Sequence, residues 1–248
     1  MKVSREKKAE TRRDLIHTAV ELFTHKGVAQ TTMREISTQA GYAPATVYNY
    51  FPTKEKIFYA YFDLKQDEAG AALDAIPEFG EYTLKEKLQA QLEAVLETYT
   101  PDREFVAVAY RALIDSPMRT FGELRPVRQK QAALIERFLG EARERGEIPA
   151  SRFDGFLATL YWEFSSLVVL YWLRDDSDLF HRTTELVDLS LDLYVQVIQS
   201  GVIGKGADLL TFLLKSHCYG NFDRLARLGS LLGKLHELGQ ASEDGTLS

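Results

Sequence analysis

The sequence is poor in the groups that most enzymes and secreted proteins rely on. A single cysteine, Cys218, rules out an internal disulfide framework, and a reducing, cytoplasmic location is expected. The five histidines, His17, His25, His181, His217 and His236, show no ligand spacing, and the adjacent His217-Cys218 pair lacks companions. No metal and no cofactor is therefore expected. No nucleophile–base signature stands out, and the glycine run Gly201 to Gly206 follows a helical pattern instead of a strand, so it reads as a flexible break and not a phosphate loop. The first ten residues, MKVSREKKAE, are polar and run into a helical pattern, so no secretory signal is expected. The most apolar run, Phe156 to Leu173, holds Glu163 near its centre together with Thr159, Ser165 and Ser166, which favours a buried helix over a membrane span. Alternating apolar and polar runs are short and fall inside helical patterns, so no strand is expected.

What is present is an adequate core and an uneven charge. Hydrophobic residues make up 45% of the 248, enough for a real interior. The formal net charge is −6, which alone argues against a nucleic-acid partner. Its distribution reverses that argument. Residues 1–60 carry ten Lys/Arg against six Asp/Glu, whereas the remainder carries twenty against thirty. A basic head on an acidic body localises attraction for phosphate and keeps DNA off the body.

The head contains the most informative stretch, Thr31 to Lys56, TTMREISTQAGYAPATVYNYFPTKEK. Thr32 and Glu35 form the T-x-x-E capping box, in which each side chain satisfies a backbone N–H left orphaned at a helix start. Met33, Ile36 and Ala40 give a short helical stripe, and Gly41 permits the left-handed exit that ends it. Pro44 suits the first turn of the next helix, where its missing N–H is not needed. Val47 and Phe51 lie four apart and should face inward, leaving Ala45, Thr46, Tyr48 and Asn49 outside. Pro52 closes that helix and Thr53 can cap another beginning at Lys54. Upstream, Thr11 to Lys26 supplies the longer base helix through Leu15, Ile16, Ala19, Val20, Leu22 and Phe23, with Gly27 as its C-terminal cap. Two short helices on such a base form a helix-turn-helix, which presents its second member to the DNA major groove.

Taken together, Ala19 to Gly27 (A-x-x-L-F-x-x-K-G), Thr31 to Ile36 (TTMREI), Ala40 to Tyr42 (AGY) and Thr46 to Glu55 (TVYNYFPTKE) resemble the DNA-binding domain of the TetR family of bacterial transcriptional regulators. The resemblance implies an all-α protein. An N-terminal DNA-binding domain would occupy residues 9–70, its helix-turn-helix residues 32–51. A helical ligand-binding and dimerisation domain would follow at 71–201, and a C-terminal helical extension with a frayed tail at 202–248. The expected DNA-facing set is Thr32, Arg34, Pro44, Ala45, Thr46, Tyr48, Asn49, Tyr50 and Lys54. Thr46 can meet a base edge, a phosphate or a thymine methyl, and Asn49 an adenine or a phosphate. Tyr48 and Tyr50 can donate to phosphate oxygens, with packing on the first helix as the other reading of Tyr48. Thr32 would combine its cap with a backbone contact, and Lys54 would pair with phosphate at its helix start. Arg34 reaches the DNA backbone or is merely solvated. Lys2, Arg5, Lys7 and Lys8 form either an arm near the DNA or, as the commoner outcome, a charged tail. The chain departs from the family pattern at Ala43, where a capping Ser is common, at Pro44, where Lys or Arg is common, and at Asn49, often a basic residue.

In the body, helices are expected over Lys54 to about Ala75, Leu84 to Tyr99, Asp102 to Asp115, about Phe121 to Arg145, Arg152 to Leu173 and Asp178 to Gln199, with a final one carrying Leu225, Leu228, Leu232 and Leu235. An apolar effector pocket between helices is expected around Tyr99, Phe105, Tyr110, Phe138, Trp162 and Glu163. Glu163 would be either a pocket acid or half of a buried ion pair with an arginine such as Arg111. The expected partners are a palindromic DNA operator, a lipophilic small-molecule effector, and a second copy joined through a four-helix contact of Arg152–Leu173 and Asp178–Gln199. The main reading is a ligand-responsive repressor. The competing one is a small-molecule-binding or catalytic helical protein with a vestigial helix-turn-helix, which would bind no DNA and keep its activity without residues 1–52.

Overall fold

The computed structural model describes residues 4–115, 122–202 and 205–206, all of them helix, turn or connection, with no strand among the described residues. The expected final helix at Leu225 to Leu235 and the start of the expected helix at Phe121 lie outside them. Residues 1–199 form one compact unit. In the second unit, residues 200–248, a left-handed Gly201 accepts at its carbonyl from the Lys205 N–H.

In chain order the helices are α1 (Arg5–Lys26), α2 (Met33–Gln39), α3 (Pro44–Tyr50), α4 (Lys54–Asp74), α5 (Leu84–Tyr99), α6 (Arg103–Asp115), α7 (Arg125–Glu144), α8 (Asp154–Trp172) and α9 (His181–Gln199). Helix α1 begins six residues before the expected Thr11, because the Ser4 hydroxyl caps it by accepting from the Lys7 N–H. The added turns carry charge on all sides and no apolar stripe, so periodicity alone could not find them. Gly122 and Glu123 are helical, and α7 runs from Arg125 after a break at Leu124. Leu124 leaves helical geometry ahead of Pro126, which occupies the first turn. Helix α9 starts three residues later than expected, because Leu179 and Phe180 both adopt left-handed φ, 52° and 57°. Side chains other than glycine rarely do so, and the cost is about 1–2 kcal/mol per residue.

Helices α1 to α3 share a core of Phe23, Ile36, Val47 and Phe51, all buried as expected. That core is small, and it continues into the body through α4, which packs on α1, α5 and α7. Ile57, Phe58, Tyr61 and Phe62 of α4 are buried, and the rings of Tyr61 and Phe62 meet Tyr99 of α5. Phe23 of α1 and Phe58 of α4 both meet Phe105 of α6. One aromatic cluster thus runs from the head into the body. Among the described residues no helix is long and apolar enough to cross a membrane.

Candidate nucleic-acid interface

The helix-turn-helix forms as the local chemistry requires. The Thr32 hydroxyl accepts from the Glu35 N–H, while the Glu35 carboxylate accepts from the Thr32 N–H at 2.9 Å. Lys26 of α1 reaches the other Glu35 oxygen, tying the base helix to α2. That bond, followed by the two from Thr32, pulls the Glu35 carboxyl down to about 2. Gly41 takes φ 72°, and Tyr42 N–H returns to the Ser37 carbonyl, which turns the chain towards α3. The Tyr42 hydroxyl donates to Asp14 of α1 at 2.7 Å, fixing the turn against the base. Arg12 of α1 binds Asp63 of α4 and lies 5.8 Å from the centre of the Phe51 ring. Neither the Tyr42–Asp14 contact nor the Arg12 bridge was anticipated. Each joins residues far apart in sequence and has no local signal.

Helix α3 starts at Pro44 without a side-chain cap from Ala43, as the departure from the family pattern implies. Val47 is fully buried. Pro44, Ala45, Tyr48 and Asn49 are exposed, with Tyr48 at 54%, and Thr46 and Tyr50 are half-buried at the margin. Of the two readings of Tyr48, its exposure leaves the ring available to a partner. A short helix with a buried apolar edge and a polar outer face is therefore presented outward from the head. Arg34, on α2 beside it, is exposed and makes no ion pair among the described residues.

Lys54 already has partners within the head. Its ammonium is half-buried and donates to the carbonyls of Ala29 at 2.8 Å and Thr31 at 3.0 Å. These are loop carbonyls left over at the end of α1, and a cation one helix away satisfies them at once. Lys54 braces the loop before α2 with two of its three ammonium N–H donors. Arg5, Lys8 and Arg13, on the lengthened α1, are exposed and free of ion pairs among the described residues. Arg5 and Lys8 thus stand on a capped helix and not on a loose charged tail.

The six expected pocket residues do not form one site. Tyr99, Phe105 and Tyr110 cluster with Tyr61 and Phe62. Phe138 is buried elsewhere, edge-on to Phe79, with the Lys87 ammonium 5.9 Å from its ring. Trp162 is half-buried beneath Arg128. Glu163 is not buried: its side chain is 60% exposed and pairs with Arg128, not Arg111, at 3.4 Å. The reason is geometric. Helix α8 has two apolar faces, and Glu163 belongs to the outer one.

That outer face has its own meaning. Phe156, Leu160, Leu167 and Tyr171 of α8 are exposed at helical spacing around Glu163, and Leu189 and Leu193 of α9 are exposed one turn apart. Apolar side chains of this size scattered singly need no explanation, whereas six at helical spacing on two packed helices make an exposed apolar face of the kind that contacts between proteins use.

Residues 15–66 match the sequence profile described as "Bacterial regulatory proteins, tetR family", and residues 87–213 match "Tetracyclin repressor-like, C-terminal domain". The "Fatty acid metabolism regulator protein" of Bacillus subtilis (strain 168) is 26% identical over 193 residues, covering 77% of this chain and 95% of that protein. Among solved structures, Salmonella enterica GusR superposes with a TM-score of 0.60 at 20% identity, covering 81% of this chain and all of the other. A FadR from Bacillus subtilis solved in complex with stearoyl-CoA superposes with a TM-score of 0.57 at 23% identity, covering 74% and 97%. With profiles matched over both halves, and the capped α2, glycine turn and outward α3 in place, the chain belongs to the TetR family of DNA-binding transcriptional regulators.

Proposed function

We propose that this regulator is a repressor that grips a palindromic operator as a homodimer and lets go when a lipophilic effector enters its body. The observation that carries the reading is the pairing of two uncovered faces in one compact unit: the polar face of α3 and the apolar stripe of α8 and α9. Packing that stripe against its copy makes a four-helix contact about a two-fold axis. The same axis sets two α3 helices about 34 Å apart, one turn of duplex, so a symmetric protein reads a symmetric site. Tyr48 and Asn49 then face the groove, with Pro44 and Ala45 at the entering end and Thr46 and Tyr50 at its margins. Arg34, with Thr32 beside it, meets the phosphate backbone. The Glu163–Arg128 pair enters the dimer contact already neutralised.

Support for the effector comes from the interior cluster. Tyr99 and Tyr110 lie in that cluster, and burial pushes both hydroxyls above the ordinary tyrosine value. An interior lined by aromatic rings with a few hydroxyls among them suits an occupant that is mostly apolar. The cluster includes Phe58, Tyr61 and Phe62 of α4, the helix that continues from α3, so displacement there changes the spacing of the two heads. Tyr61 also donates to Asp102, and Lys65 of α4 pairs with the same carboxylate, which ties α4 to the α5–α6 elbow. Differential affinity for the two states supplies the coupling, about 1–3 kcal/mol in systems of this kind.

The test is a gel-shift titration of the dimer on the DNA upstream of its own gene at two salt concentrations. Tight binding that weakens as salt rises supports the reading. Equal, weak binding to any duplex would overturn it, as would an intrinsic activity that survives removal of residues 1–52.

A further inference from the structure

We propose that a groove between α5 and the α8–α9 connection is a second small-molecule site, selective for a small lipophilic cation. The groove has a volume of about 230 Å³ and is separate from the interior aromatic cluster. This is below the about 300–1,000 Å³ of drug-sized pockets, so the occupant is small. Its floor is apolar: Leu96 of α5, the buried indole of Trp172 at the end of α8, and Val187 of α9. Its lip is the left-handed pair Leu179 and Phe180. Leu179 is 96% exposed, an apolar side chain held over the groove with nothing covering it.

The polar chemistry of the lining chooses the charge of the occupant. Glu93 and Glu97, one turn apart on α5 and both exposed, are the only charged side chains on it. The three hydroxyls on the lining already donate elsewhere: Thr100 to the Leu96 carbonyl, Thr183 to Asp175 and Thr184 to the Phe180 carbonyl. The first-turn amides of α9 are also taken, Arg182 N–H by the Ser177 hydroxyl and Thr183 N–H by Asp175. The helix start therefore offers no cradle for an anion. Among the side chains of the lining, the Trp172 indole N–H is the one donor besides those three engaged hydroxyls, and the other polar side chains present acceptors. Arg103 lies near the Trp172 and Phe180 rings, but it is not on the lining, and it is held by the carbonyls of Trp172 and Asp175. A carboxylate or phosphate would meet two like charges and no donor pair. A primary ammonium on an aromatic or short alkyl body would meet carboxylates at the rim and apolar surface beneath.

The probe is phenethylammonium, with 3-phenylpropionate as the anion of matching shape. The chain has two tryptophans, so Trp162→Phe leaves Trp172 as the only indole reporter. The ammonium is expected to change Trp172 emission saturably and the carboxylate to leave it unchanged. The double variant Glu93→Gln/Glu97→Gln should weaken the ammonium about tenfold or more, the scale of losing charge-assisted hydrogen bonds at an exposed rim. Tyr99→Phe, in the interior cluster, should leave the titration as it was. Calorimetry on the unsubstituted protein repeats the measurement without reliance on the tryptophan variant. No saturable binding, equal binding of the anion, indifference to the double variant, or loss on Tyr99→Phe would each overturn the proposal. Operator binding without the probe stays at its original strength in Glu93→Gln/Glu97→Gln, so failure here is distinguishable from failure of the DNA-binding reading.

Discussion

The head leaves more of its cations bare than the body does, although Lys7, Arg12, Lys26 and Lys56 of the head also meet carboxylates. In the body, Lys65, Lys85, Lys87, Lys130, Arg128, Arg143 and Arg145 each meet a carboxylate, and Arg103 meets two carbonyls. Several of these bonds tie distant segments, as when Arg145 of the α7 terminus reaches the carbonyls of Gly80 and Tyr82. In the head, Arg5, Lys8, Arg13 and Arg34 stand exposed without ion pairs among the described residues. The negative excess of the body is spent largely on holding itself together, whereas the smaller positive excess of the head is left open. A protein that is acidic in total can therefore bind a polyanion, because the charge that matters is the unpaired charge on one face. The two uncovered faces differ in the same sense. The α3 surface is polar and awaits a partner that brings charge, while the α8–α9 stripe is apolar and suits its own copy.

The most severe way to break this comparison is to put charge on the apolar side. Leu167→Glu with Leu193→Glu should convert the dimer to a folded monomer by sedimentation, since both side chains are about two-thirds exposed in the single chain (64% each) and support no core. Operator affinity should fall more than about a hundredfold, because the second head loses its tethered concentration advantage. A variant that stays dimeric and binds as before would remove the stripe from the interface.

On the head, the next effect is a matter of sequence and not of total affinity. Asn49→Ala should cost about 1–3 kcal/mol at one operator position and relax the preference there, the range for a bidentate side-chain–base contact. A binding-site selection experiment on wild type and variant reads this directly, and an unchanged preference would place Asn49 off the bases. Arg34→Ala should instead weaken all sequences alike and reduce the slope of log affinity against log salt by about one per subunit. An unchanged slope would mean that Arg34 is only solvated.

The same division explains what could be read from the sequence. The capping box, Gly41, Pro44 and the Val47–Phe51 pair act within a few residues, so their geometry was legible from spacing alone. What each polar side chain does at long range was not. Lys54 has the composition of a phosphate ligand, yet loop carbonyls more than twenty residues upstream take two of its three ammonium donors. Glu163 looked buried because its helix is apolar on both faces, and only the packing of α7 and α9 decides which face is inside. Phe138 and Tyr99 have the same aromatic character and end in different clusters. The kink at Leu179 and Phe180 has no glycine or asparagine to announce it.

The smallest effect sharpens the comparison from inside the head, where one carboxylate is paired for structure instead of being repelled by the DNA it sits near. Glu35 bonds Lys26 first and then Thr32, which holds its carboxyl at about 2 against an ordinary value of 4.5. A group whose folded value is depressed stabilises the fold fully above its unfolded value, and the contribution disappears as pH falls towards the folded value. The stabilising window is therefore lost between about pH 4.5 and pH 2, and nothing changes near neutrality. The pair is solvent-exposed, so the contribution is small and screened by salt. Glu35→Gln keeps a side chain that can accept from the Thr32 N–H but cannot titrate or pair with Lys26. Thermal midpoints of both proteins, measured from pH 7 down to pH 3, should start apart and converge as the wild type loses its advantage. Parallel curves would show that the carboxylate adds nothing beyond the amide's hydrogen bond, and the link between α1 and α2 would then rest on Tyr42–Asp14 and the shared core.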